Sequence, residues 1–305
     1  MSTEYEQRQS LVIVDIPLIQ HYNFGGVQTD SETDMAQFKI GTLESVLRAD
    51  WKDVFPRAPS LGFDCVELGV RADTYRDTEL WREGGIDAIK ERMKRSRIPV
   101  ASICLHTFWT YTFADSDVAN RTTAKQILFH TYDICQALGA STILVPVTNP
   151  NKLEQEEAAE RWTTEIRAVA AGAEAAGVRI ALEVVGGSHA ITGDDMNSLL
   201  AAIDSPAVGA YFDFGNSKML GSDPVADIGI QGDRIYQVHV KDPKQSRTPC
   251  LLGEGDVDLA GCLKALIDVD YSGPLVFETP TLSDARDTAS RNLATLRGLI
   301  EITEA

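Results

Sequence analysis

The five cysteines, Cys65, Cys104, Cys135, Cys250 and Cys262, stand in no CxxC spacing, and their odd number closes no disulfide framework. A reducing cytoplasm is the expected compartment. Basic charge is scarce as well: 28 Lys and Arg against 45 Asp and Glu leave a formal net charge of −17. That field repels nucleic acid and anionic membrane surfaces, so neither is an expected partner. The one basic cluster, "KERMKRSR" at 90–97, falls at the end of an expected helix, where cations complement the helix dipole. The apolar stretch "LVIVDIPLIQ" is too short to span a bilayer and contains Asp15, with no basic n-region or small-residue cleavage site beside it. No glycine-rich phosphate loop is evident.

What the chain does have is rhythm. From residue 38 a short apolar or β-branched run, a polar loop and a segment of helical period recur. The expected strands are 38–43, 63–70, 99–107, 141–147, 179–185, 209–215, 235–242 and 274–280. Between them lie amphipathic stretches such as "TTAKQILFHTYDICQALGA" and "EEAAERWTTEIRAVAAGAEAAG", several ended by glycine, and a last helix follows the eighth strand. With 44% hydrophobic residues and no linker in the series, the pattern predicts an α/β fold, a single (β/α)8 barrel over 38–305. Such barrels commonly run to ~250 residues as one unit. Residues 1–37 fall outside the repeat and are read as an N-terminal extension.

In such a barrel the reactive groups project from the carboxyl ends of the strands. Glu183, Asp213, His239 and Glu278 fall at or near the ends of strands five to eight. Each alone is equally a helix cap or a satisfied core histidine. Together they form a hard, mostly anionic donor set suited to Mn²⁺, Mg²⁺, Co²⁺ or Zn²⁺, and three crowded carboxylates need a cation to offset their repulsion.

The segments "IALEV", "YFDFGN", "VHVKD", "LGEGDVD" and "GPLVFETP" occur in the order and spacing of the xylose isomerase-like TIM-barrel superfamily. The chain most resembles its ketose 3-epimerase and pentulose-5-phosphate 3-epimerase group, specifically over the last ~130 residues and elsewhere through the strand rhythm alone. The resemblance implies that Glu183, Asp213, His239 and Glu278 bind one divalent ion, Mn²⁺ above the alternatives. It implies a sugar or sugar-phosphate substrate and a homo-oligomer, dimer or tetramer. Glu183 and Glu278 would double as the acid and base that remove and return a proton next to a ketone. Substrate contacts are expected from Arg247, where related epimerases place an arginine, and from Glu67, Asn216, His189 and Trp109, with Phe113 as a further apolar wall. His106 points either into the site or into a packed layer. Lys241 or Asp242 is expected to support the ligands.

One departure stands out. Ketohexose epimerases tend to carry histidine three residues after the strand-six Asp, whereas this chain has Asn216, as in the pentulose-phosphate branch. The alternative function is an inosose dehydratase-like lyase on the same metal site. An endonuclease IV-type nuclease needs more than the five histidines present, and a non-catalytic sugar-binding barrel needs a displaced ligand.

Overall fold

The computed structural model describes residues 38–304, so the expected extension 1–37 lies outside the described residues. Eight parallel strands close into a barrel in sequence order, β1 pairing with both β2 and β8. The strands are β1 (Ile40–Leu43), β2 (Cys65–Gly69), β3 (Val100–Cys104), β4 (Thr142–Pro146), β5 (Arg179–Glu183), β6 (Val208–Asp213), β7 (Ile235–Val240) and β8 (Leu275–Phe277). Every expected strand is present, and all but the first end one to three residues sooner than the apolar runs suggested. The chain leaves the sheet where its polar groups must turn toward solvent or ligand.

The helices are α1 (Trp51–Leu61), α2 (Gly85–Ser96), α3 (Val118–Leu138), α4 (Gln155–Ala176), α5 (Gly193–Ile203), α6 (Phe214–Met219), α7 (Pro224–Gln231), α8 (Leu259–Asp268) and α9 (Ala285–Glu304). Several start at acceptor side chains that satisfy a free N–H of the first turn: Asp50, Asp117, Asp258, and Thr192 in a reciprocal capping box with Asp195. None of the described helices is long and apolar enough to cross a membrane.

Trp162 of α4 is fully buried, packs at 6.0 Å and 5.3 Å from the rings of Phe108 and Phe113, and donates its indole N–H to the Thr148 carbonyl at 3.1 Å. Phe113 is therefore a core residue and not the wall over the sugar that its loop position suggested. All five cysteines are free and buried.

Candidate metal centre

Side chains alternate between the two faces of a strand, so every second residue of β7 enters the barrel: Gln237, then His239, then, just beyond the strand, Lys241. The same period puts Tyr211 below Asp213 on β6. These residues build two polar layers. In the lower one, Glu67 of β2 accepts from the Ser102 hydroxyl at 2.5 Å and the Tyr211 hydroxyl at 2.9 Å. The Gln237 amide donates to Ser102 Oγ at 2.6 Å and to Tyr211 Oη at 2.9 Å. The second oxygen of Glu67 lies 2.7 Å from His239 Nε2. Nε2 donates to that carboxylate, which turns Nδ1 into the upper layer.

In the upper layer Nδ1 stands 3.2 Å from Glu183 Oε1, 3.4 Å from Glu278 Oε2 and 3.8 Å from Asp213 Oδ2. One ligand atom from each of the four residues lies within 4.8 Å of the others. Asp213 serves twice. Its Oδ1 accepts the Asn216 N–H at 2.8 Å as the cap of α6, which turns Oδ2 toward the other ligands. One carboxylate thus caps the helix through one oxygen and leaves the other among the candidate ligand atoms.

Lys241 Nζ reaches Glu278 Oε2 at 2.6 Å and Asp213 Oδ2 at 2.8 Å, so positive charge already sits against this acidic cluster. Burial pushes the Asp213 carboxyl up to about 7 and raises Glu183, with Glu278 adding to the latter by repulsion. Burial also works against an ionised Glu278, yet Lys241 and His239 outweigh it and hold that carboxyl well below the usual range. Burial opposes charge on His239, but Glu67 and Glu278 raise the imidazole well above its ordinary value. Three carboxylates and an imidazole nitrogen converging on one place fit a single hard divalent cation, which would compete with protons for the same atoms.

The remaining expected residues are placed unevenly. Glu67 does not stand on the rim: it is fully buried beneath His239, and its role is to hold that ring. Asn216 turns its amide toward Glu183 Oε1 at 3.4 Å and the Val184 carbonyl at 2.9 Å, so it holds the Glu183 carboxylate in place. His106 opens a short 3-10 turn after β3 and lines, with Trp109 and Glu278, a cavity of about 520 Å³. Trp109 is exposed and offers its ring to that space. His189 is buried, 6.5 Å from the Trp162 ring, with no partner on either ring nitrogen, and burial lowers its pKa to about 4. Arg247 is exposed on the loop after β7 with left-handed backbone, φ 58°.

Lys241 pairs with two of the candidate ligands, Asp213 and Glu278, whereas Asp242 bonds elsewhere. Its carboxylate accepts the N–H groups of Gly253 at 2.8 Å, Gly255 at 2.9 Å and Val257 at 2.9 Å, tying down the "LGEGDVD" loop. A Cβ on Gly255 would run into both the side chain and the carbonyl of Asp242. Gly255→Ala is expected to cost about 1–3 kcal/mol, the range for forcing a group into a filled space. Urea unfolding measures it, and an unchanged midpoint contradicts the contact.

Sequence reasoning missed the lower layer. Ser102 inside "VASIC" and Gln237 inside "IYQVHV" are polar residues within apolar strands, and that interruption is the available signal. Glu44, directly after β1, was also passed over.

Taken together, the closed parallel barrel and the cluster of Glu183, Asp213, His239 and Glu278 at the carboxyl ends of its last four strands define a TIM-barrel protein with a candidate metal-binding cluster. Residues 55–299 match the family of xylose isomerase-like TIM barrels, and the chain belongs to that family. A protein of Escherichia coli, provisionally named L-ribulose-5-phosphate 3-epimerase, is 26% identical over 255 residues, covering 80% of this chain and 89% of its own. The 3-dehydroshikimate dehydratase of Pseudomonas putida is 28% identical over 175 residues, 51% of this chain and 27% of the dehydratase. Among solved structures, an L-ribulose 3-epimerase superposes with a TM-score of 0.75 over 88% of this chain and 96% of its own, at 19% identity, which supports the fold. The epimerases among the sequence relatives support an isomerase-class enzyme.

Proposed function

We propose that this protein is a divalent-metal-dependent epimerase or isomerase of ketoses or ketose phosphates, removing a proton from the carbon beside the ketone and returning one. The observation that carries this reading is the pair Glu183 and Glu278. They come from β5 and β8, with β6 and β7 between them, and meet at His239 Nδ1, at 3.2 Å and 3.4 Å. Two carboxylates that reach one position from strands three apart in the barrel provide two separate groups, one to remove the proton and one to return it.

A cation held by Glu183, Asp213, His239 and Glu278, Mn²⁺ above Mg²⁺, Co²⁺ or Zn²⁺, would withdraw electron density from the ketone and its neighbouring hydroxyl and so acidify the C–H between them. The chain's own groups do the rest. Glu183 and Glu278 exchange the proton with the carbon. Asn216 fixes Glu183, and Lys241 holds Glu278 ionised and ready to accept. Trp109 offers an apolar wall to the sugar, and His106, His189 and Arg247 are the residues offered to its hydroxyls. We place the enzyme in the cytoplasm, as five free buried thiols favour, and as a homo-oligomer.

The test is the product pattern of metal-loaded protein on a panel of free and 5-phosphorylated ketoses in D₂O, read by NMR. Deuterium at C3 of an epimer pair is expected. Deuterium at C1 or C2 of an aldose–ketose pair assigns isomerisation instead, and no exchange with any ketose overturns the reading. The similarity to a dehydratase keeps elimination of water as the second reading, recognised by a dehydrated product. Chelation supplies a check on the metal. Free metal at 100 times Kd stabilises by about 2.7 kcal/mol, so its removal is expected to lower the thermal midpoint and abolish exchange together. Undiminished exchange in fully chelated protein sinks the metal assignment.

A further inference from the structure

Glu44 follows the last residue of β1 and lines the same cavity as Arg71, Asp73, His106, Trp109 and Glu278. Its Oε2 accepts the Gly69 N–H from the end of β2 at 2.9 Å. Gly69 is the reason the side chain fits there. A Cβ on that residue would stand 3.0 Å from Glu44 Oε1 and 3.0 Å from His106 Nε2. Those two polar atoms therefore flank one spot, separated by no more than the sum of the two distances, on the cavity wall that leads to Glu278. With no side chain between them, they present to the cavity as a pair.

We propose that Glu44 and His106 together receive one hydroxyl group of the sugar, on the Glu278 side of the site, and so select substrates that carry that hydroxyl. The inference rests on the epimerase reading and extends it from the reacting carbon to the rest of the substrate. The Gly69 N–H, the residue's own N–H and the Trp51 side chain favour the ionised carboxyl without offsetting its burial, so a further polar partner suits Glu44. Burial pushes its carboxyl up to about 7, which lets it donate or accept near neutrality. Burial also lowers the pKa of His106, leaving a neutral ring with one donor and one acceptor nitrogen. A hydroxyl, itself both donor and acceptor, is the complementary group. Neither residue is among the four converging ligand donors. They act on a different part of the substrate.

The experiment pairs variants with substrates. Metal-loaded wild type, Glu44→Gln, Glu44→Ala and His106→Ala are assayed on a turned-over ketose and on its analogues lacking one hydroxyl each, with metal content and thermal midpoint recorded for every variant. The wild type is expected to lose about 10-fold or more in kcat/KM on one analogue, the scale of a hydrogen bond to an ionisable group. Glu44→Ala and His106→Ala should lose a similar factor on the parent ketose, mainly through KM, and nothing further on that analogue. Glu44→Gln, which keeps the Gly69 hydrogen bond, carries the comparison if the alanine variant is unstable. Equal penalties on the parent and on every analogue, or a changed midpoint with unchanged KM, overturn the proposal and leave Glu44 as a clasp between β1 and β2. A wild type inactive on all ketoses overturns the epimerase reading and this assignment with it.

Discussion

Glu183→Gln and Glu278→Gln are each expected to lower epimerisation by at least ~100-fold, the lower end of what a positioned general acid or base contributes. Glutamine keeps an oxygen donor and the side-chain shape, so metal binding should weaken far less than turnover. The two variants differ in their surroundings. Glu278→Gln leaves Lys241 with Asp213 as its remaining carboxylate partner, whereas Glu183→Gln keeps the neighbouring Asn216 amide. Parallel measurement of metal content and of deuterium incorporation by NMR separates a lost base from a lost ligand. A variant that still exchanges deuterium at the reacting carbon without inverting it identifies the replaced glutamate as the group that returns the proton. Near-native inversion in both metal-loaded variants would falsify the two-base mechanism.

Glu67→Ala is expected to be strongly destabilising. Removing this carboxylate leaves His239 Nε2, the Ser102 hydroxyl and the Tyr211 hydroxyl without their shared acceptor in a space closed to water. Breaking a buried charged pair by removing one partner costs about 3–5 kcal/mol. Freeing the ring should also weaken metal affinity by about 10–100-fold, the range for losing a group that orients a ligating histidine. Glu67→Gln retains one acceptor oxygen and should recover part of both losses. Urea titration of chelated protein gives the stability, and metal titration gives the affinity. A loss below about 1 kcal/mol for the alanine variant means that the lower layer does not hold His239 in place.

The barrel was legible because the strand interiors are mostly apolar runs, as strands buried on both faces favour. The four ligand-type residues were legible because strand ends recur at regular intervals, and an ionisable side chain interrupts the apolar run at each of four successive ends. Position within the run was less informative. Glu67 and Glu183 look alike in "CVELGV" and "IALEVV", yet Glu67 lies one layer deeper, facing His239 from below. Depth is set by the stagger of neighbouring strands, including the register shift between Val66 and Glu67 where β2 meets β3. Phe113 and Trp109 are four residues apart in one loop, and packing against Trp162 buries the first while the second is left exposed.

By itself the sequence determined the βα alternation, the eightfold count, the acidic surface and the identities of the four groups able to hold a cation. These follow from local period and composition, which need no knowledge of what lies across the barrel. Tertiary structure alone decided which polar side chains share a layer. It set Glu67 under His239, Asn216 against Glu183, Lys241 between Asp213 and Glu278, and Glu44 beside His106. Each of these pairs joins residues from different strands or loops, separated by 28 to 172 positions where a bond defines them. Hydrogen bonds and charge act over a few ångströms of space whatever the distance along the chain, so only closure of the barrel brings such partners within reach.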